Sequence, residues 1–244
     1  MLGGRRFYFR PVLTIFTAAS LAILMSLGFW QMHRLQWKLA LIEKIEARIE
    51  APPISFQEAY HRAEAGEDME YTPVRLSGSF VGELNAKVFG SYEGVAGLYL
   101  FKPLRSDDGG SVYVNLGFVP QAVELTPSEN KPAQTKIEGL FRYAENPSPP
   151  ASWFLPHDKS SDGLWFIRDP ALFAMAAKTE ASPYYIDSFA RAASDWPKGG
   201  TTRLHFSNNH FQYVLTWFGL AAALLGVWLI FSLQSPNKSN DFKK

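Results

Sequence analysis

The sequence predicts a membrane protein of the α+β class, with two transmembrane helices flanking an exported domain built on a small antiparallel β-sheet or barrel. Three observations carry that prediction. Residues 11–32 and 211–233 contain no charged side chain, and each run has about the 20 apolar-rich positions that a spanning helix needs. Basic residues gather at the two chain ends. Between the runs lie short strand-like segments separated by turn residues.

The elements follow in order. Residues 1–10 form a basic N-terminus carrying Arg5, Arg6 and Arg10. Transmembrane helix 1 covers 11–32; its apolar stretch is too long for a signal-peptide core and no clear A-x-A site follows it, so it is expected to be an uncleaved anchor. Residues 33–210 form the exported α+β domain. Transmembrane helix 2 covers 211–233, and a tail of 234–244 ends with Lys238, Lys243 and Lys244. By the positive-inside rule both termini are cytoplasmic, and the middle, which carries net negative charge, is periplasmic in a bacterial inner (plasma) membrane. Trp30, Trp217 and Trp228 lie near the run ends, where aromatic belts form. Small residues (Ala18, Ala19, Ala22; Gly219, Ala223, Gly226) are expected to let the helices pack closely.

Within the middle, Leu35, Leu39, Ile42, Ile45 and Ile49 recur at helical spacing and predict that helix 1 continues outward until Pro52-Pro53. Residues 55–64 allow a short helix. Strands are predicted at 72–81, 86–92, 96–105, 110–119, 134–143, 164–168 and 183–189. Asp169-Pro170 opens a further helix, with a capping residue followed by a first-turn proline.

Composition excludes several functions. The 244 residues carry a net charge of +1, which leaves no basic excess for a nucleic-acid partner. The absence of Cys removes disulfides, CxxCH haem attachment, iron–sulfur ligation, thiolate copper carriage and thiol nucleophiles. GxSxG, HExxH, P-loop and GxGxxG motifs are lacking, so no enzyme activity is expected. His157-Asp158, in a Pro-flanked loop, is the one base–orienter pair a hydrolase would use.

His210 stands at the outer end of transmembrane helix 2. His210, Tyr213, Val214 and Trp217 fall at i, i+3, i+4 and i+7 and share a helix face. A His there is competent to supply an axial nitrogen to haem iron, with aromatic neighbours covering the macrocycle. The same pattern also describes an interfacial His in an aromatic belt. At the matching edge of helix 1, Trp30, Arg34 and Lys38 recur every four residues; the two cations suit carboxylates such as haem propionates, or lipid headgroups.

Five segments resemble the surfeit locus protein 1 family, assembly factors of haem–copper cytochrome c oxidase. They are Gly28-Phe29-Trp30-Gln31-Met32-His33-Arg34 with Trp37-Lys38, Gly78-Ser79-Phe80, Val114 to Pro120, Leu164 to Asp169, and Asn208-Asn209-His210-Phe211-Gln212-Tyr213 with Thr216-Trp217. Where the family reads R-G-W-V-P, this chain has Leu116-Gly117-Phe118-Val119-Pro120. The resemblance implies a chaperone that binds haem a as cargo in the membrane and supports its insertion into oxidase subunit I. It implies that His210 is the axial ligand; Tyr213, Trp217, Trp30, Arg34 and Lys38 are expected around the cargo from their helix positions. Subunit I is the implied partner, and haem a synthase is a further candidate. The alternative is a scaffold that stabilises subunit I without binding haem.

Overall fold

The computed structural model describes residues 6–82, 86–123, 134–150, 153, 155–156, 163–189, 196–202 and 208–234. In chain order the elements are β1 (Arg6–Phe7), α1 (Pro11–Ile49), β2 (Ile54–Ser55), α2 (Phe56–Glu64), β3 (Pro73–Phe80), β4 (Ala86–Tyr92), β5 (Val95–Ser106), β6 (Ser111–Pro120), β7 (Gln134–Arg142), β8 (Leu164–Trp165), α3 (Pro170–Ala177), β9 (Tyr185–Ser188), α4 (His210–Ser232) and β10 (Leu233–Gln234). The chain divides into a helical unit, residues 1–43 with 205–244, and a β unit, residues 44–204.

In the helical unit the first part of α1 packs antiparallel to α4. A covered stripe on α1 runs through Thr14, Thr17, Leu21, Leu24, Gly28 and Gln31, flanked by half-buried Leu13 and Leu27, and one on α4 runs through Val214, Trp217, Ala221, Leu224 and Trp228, flanked by half-buried Phe218 and Gly226. Both series step by alternating threes and fours, the heptad spacing that keeps one stripe facing a partner helix. Trp228 Nε1 donates to Thr14 Oγ1 at 3.3 Å, and Phe29 meets Phe218 edge-on at 5.5 Å. The antiparallel pairing Arg6↔Gln234 and Phe7↔Leu233 ties the chain ends beyond the helices. The predicted small residues Ala18, Ala19, Ala22, Gly219 and Ala223 are exposed instead, and Gly226 meets no neighbour within 4 Å. They fall off the heptad stripe; Gly28, Thr17 and Ala221 take that role.

Both helices are long and apolar enough to cross a membrane, and their most apolar windows are only 11% buried. The core helix of a soluble protein would be mostly covered. Here the apolar side chains point outward, as lipid-facing residues do.

The β unit is a closed barrel with two short extensions. Strands β3, β7, β9, β6 and β5 pair in that order, and β5 returns to β3 through Gly78↔Ser106 and Phe80↔Leu104. Strand β5 is twelve residues long because one of its edges serves two partners. Its first half pairs β4, from Tyr92↔Val95 to Ala86↔Phe101, and its end pairs β3. The expectation of a small sheet or barrel is met, but the pairing is mixed. β2–β3, β4–β8 and β6–β9 are parallel, as strands far apart in sequence can be when long connections join them.

Two apolar clusters hold the barrel. One joins Val74, Leu76, Leu104, Val112, Val114, Ile137, Phe141 and Ile186 to Phe56 and Ala59 of α2. The other joins Tyr99, Phe101, Tyr113, Phe118, Trp165 and Tyr185 to Phe173 and Ala174 of α3. Val112 and Val114 against Tyr113, and Ile186 against Tyr185, show that β6 and β9 are buried on both faces. Full burial of each such Phe is worth about 1.5–3 kcal/mol. The helix ends are capped as the sequence predicts for α3: Ala171 N–H donates to Asp169 at 2.9 Å, and Lys178 closes the end in the left-handed conformation. For α2, Glu58 N–H donates to Ser55 Oγ at 3.1 Å.

Strand β6 contains a bulge. Leu100 pairs Gly117 and Phe101 pairs Asn115, so Leu116 is the extra residue. Gly117 has φ +126°, and a Cβ there would collide with the backbone carbonyl of Lys198. Phe118 N–H and Lys198 N–H each donate to the other's carbonyl at 2.9 Å, fixing that neighbour in place. Gly117→Ala is therefore expected to destabilise the barrel by at least about 1–3 kcal/mol, read as a fall in its thermal transition. Leu116 packs on the first cluster. Phe118 is 1% exposed beside Tyr92, Tyr99 and Trp196. Both positions that depart from R-G-W-V-P thus carry packing.

Candidate functional site

Among the described residues, a part-buried polar contact joins α1 to α4 where α4 begins. His210 is the first residue of α4, and Asn208 Oδ1 accepts from its backbone N–H at 3.4 Å. Its ring Nδ1 lies 2.7 Å from Oε1 of Gln31, on α1. Gln31 is 9% exposed, although an uncharged amide on a lipid-facing helix gains nothing from burial unless it is paired. Two turns along α4, Trp217 Nε1 is buried and has no hydrogen-bond partner among the described residues.

The six predicted site residues divide between two sides of the helices. His210 and Trp217 lie toward the seam with Val214. Tyr213 is 51% exposed and points outward, because a residue at i+3 sits at the edge of the stripe that i, i+4 and i+7 define. Trp30 is 54% exposed, and the Arg34 guanidinium stacks 4.6 Å above the ring of Trp37 rather than on Trp30. Lys38 is half-buried. The described contacts join His210 to Gln31 and join neither Trp30 nor Arg34 to it. Gln31 appears in the sequence motif but has no helical spacing to His210, 179 positions away, so only the fold reveals the pair.

Gly28, one turn before Gln31, makes that approach possible. A Cβ there would lie 2.8 Å from the Phe218 ring. Gly28→Ala should push the helices apart and weaken the Gln31–His210 contact. The expected result is a lower thermal transition of the helical unit in detergent; an unchanged transition would mean that the ring yields freely.

The β unit has its own polar constellation. Arg142 Nε donates to Glu70 at 2.7 Å and Nη1 donates to Asp187 at 2.6 Å. Asp187 also accepts from Asn115 at 2.7 Å and from Thr202 at 2.9 Å. Burial opposes the charge of Arg142, but Tyr185, Asp187 and Glu70 outweigh it and its pKa lies above the ordinary value. Burial pushes the Tyr185 hydroxyl well up, and that hydroxyl has no hydrogen-bond partner among the described residues. Arg142 and Arg168, stacked 4.6 and 4.1 Å from Tyr71 and Tyr99, line a cavity of about 350 Å³ with Ser91 and Thr201. The six lining residues are scattered along the chain, and of them only Arg168 falls in one of the quoted motifs. His157 and Asp158 lie outside the described residues.

Fold and helix pair together define a two-helix membrane protein carrying a five-stranded barrel, with a cross-helix His–Gln pair as its most specific polar feature. A sequence profile of the SURF1 family matches residues 18–222, and the chain belongs to that family. It is similar to surfeit locus protein 1 of Rattus norvegicus, 35% identical over 227 residues, covering 83% of this chain and 70% of the relative. The Homo sapiens protein of that name is 33% identical over 226 residues, covering 83% and 71%. A SURF1-like protein of Monosiga brevicollis is 29% identical over 231 residues, covering 87% and 85%.

Proposed function

We propose that this chain is an assembly factor for a haem–copper cytochrome c oxidase that binds haem a at the helix pair and supports its insertion into subunit I. The observation that carries the reading is His210, an imidazole held in an apolar helix seam by a single neutral hydrogen bond. One axial nitrogen holds the iron of an apolar cargo while leaving transfer possible, since a hand-off needs a ligand that can let go. The orphaned Trp217 indole N–H fits the same cargo: a buried donor without a partner is costly, and haem a carries formyl and carboxylate oxygens that accept. Arg34, exposed on its Trp37 platform, and Lys38 are the cations for the propionates, and the exposed Trp30 and Tyr213 supply aromatic surface for the macrocycle. The chain performs no bond chemistry in this reading; it binds, shields and releases. We place it in a bacterial inner membrane, with both termini cytoplasmic and the barrel periplasmic, near subunit I and haem a synthase.

The reading is tested by isolating subunit I from cells that lack this chain. Subunit I deficient in haem a, restored by the wild-type chain, is expected. Subunit I present with its full haem a would contradict the reading. Loss of the subunit I polypeptide with normal haem loading of what remains would favour a scaffold.

A further inference from the structure

We infer that Gln31 is the positioning residue for His210, fixing its ring as the Nδ1–H tautomer so that Nε2 is the nitrogen offered to the cargo iron. The inference rests on the haem reading above for its purpose, but its geometry stands alone. A neutral imidazole has one donor nitrogen and one acceptor nitrogen. An amide oxygen accepts and never donates. With Oε1 of Gln31 2.7 Å from Nδ1, the proton belongs on Nδ1 and the lone pair on Nε2.

The choice of Gln has chemical consequences. A ligand His whose other ring nitrogen donates to a partner is held in orientation and made more basic. A carboxylate in the same place would strengthen that effect and add a charge in the apolar seam, where desolvation is expensive. The neutral amide orients the ring while keeping the iron bond moderate, which suits a carrier. Because acceptor and imidazole sit on different helices, Nε2 is presented only while α1 and α4 are paired. Gly28 and its contact with Phe218 hold that pairing one turn away.

The test uses the full chain in detergent, as wild type and as Gln31→Leu, Gln31→Glu and His210→Ala. In haem-free protein, the ¹⁵N shifts of the His210 ring are expected to report a protonated Nδ1 and a bare Nε2. In Gln31→Leu that preference should be lost. A bare Nδ1 in the wild type would overturn the inference whatever haem does.

With haem a bound, Gln31→Leu is expected to weaken retention about 10–100-fold, the usual effect of losing such a partner. It should also lower the iron–histidine stretching frequency and raise the midpoint potential. Gln31→Glu keeps the acceptor and should shift both signatures the opposite way. A helix-packing role alone predicts altered thermal stability with frequency and potential unchanged, and that result would overturn the inference. Loss of haem in His210→Ala with Gln31→Leu unchanged sinks only the role of Gln31. Undiminished haem in His210→Ala sinks the ligand reading beneath it.

Discussion

Arg142→Ala is expected to destabilise the β unit by about 3–5 kcal/mol, the cost of leaving a buried charge without its partner. Arg142 is the centre of a network that joins β7 to β9 and to the segment before β3. Its two carboxylate partners lie on either side, at 2.7 and 2.6 Å, and the Asp187 side chain is only 3% exposed. Glu70 also accepts from the Tyr143 backbone N–H at 2.9 Å, so the ion pair is tied to the backbone just past the end of β7. Removing the guanidinium strands Asp187 with only Asn115 and Thr202 to solvate it. Against a net domain stability of roughly 5–15 kcal/mol, such a loss leaves the barrel marginal or unfolded. Arg142→Lys should recover part of it, because an ammonium supplies charge but not the two-pronged geometry. The control is Arg62→Ala, which breaks the exposed pair with Glu67 at 2.8 Å and should leave the transition in place. Thermal unfolding followed by tryptophan fluorescence reads all three. An Arg142→Ala transition matching that of the Arg62 variant would show that water reaches Asp187 freely.

The elements were legible where the signal is local. A strand-like run set off by turn residues placed β4 at 86–92 to the residue, and Asp169-Pro170 placed α3 with its cap. The proline pair at 52–53 ended α1, whose continuation past the apolar run followed from the Leu and Ile spacing. Closure of the barrel was not legible. It depends on β5 splitting one edge between β3 and β4, and on β6 pairing in parallel with β9; neither leaves a periodic trace. The site divided in the same way. His210 was visible as a lone imidazole at a membrane edge, but its partner Gln31 is polar among apolar residues and reads as an ordinary motif position. Arg142 lay unmarked at the end of a strand. Small residues misled, because Gly219 and Ala223 satisfy the composition of a packing stripe without lying on its heptad phase.

His210→Ala is expected to abolish the role in oxidase assembly while leaving the β unit folded. The imidazole caps nothing: the Asn208 side chain meets the His210 backbone N–H, and α4 loses only the bond to Gln31. Helix pairing should survive on Thr14–Trp228 and on the Phe29–Phe218 contact. In cells whose only copy carries this change, subunit I should contain far less haem a, though the variant is present at wild-type level. Normal haem loading in those cells would remove the imidazole from the mechanism.

The most direct measurement is the visible absorption spectrum of the full chain purified in detergent from cells that make haem a, beside its His210→Ala variant. The account predicts a haem a spectrum in the wild type that is lost in the variant, with both proteins folded. Wild-type protein that is folded and carries no haem, or a variant that carries as much as the wild type, would contradict it.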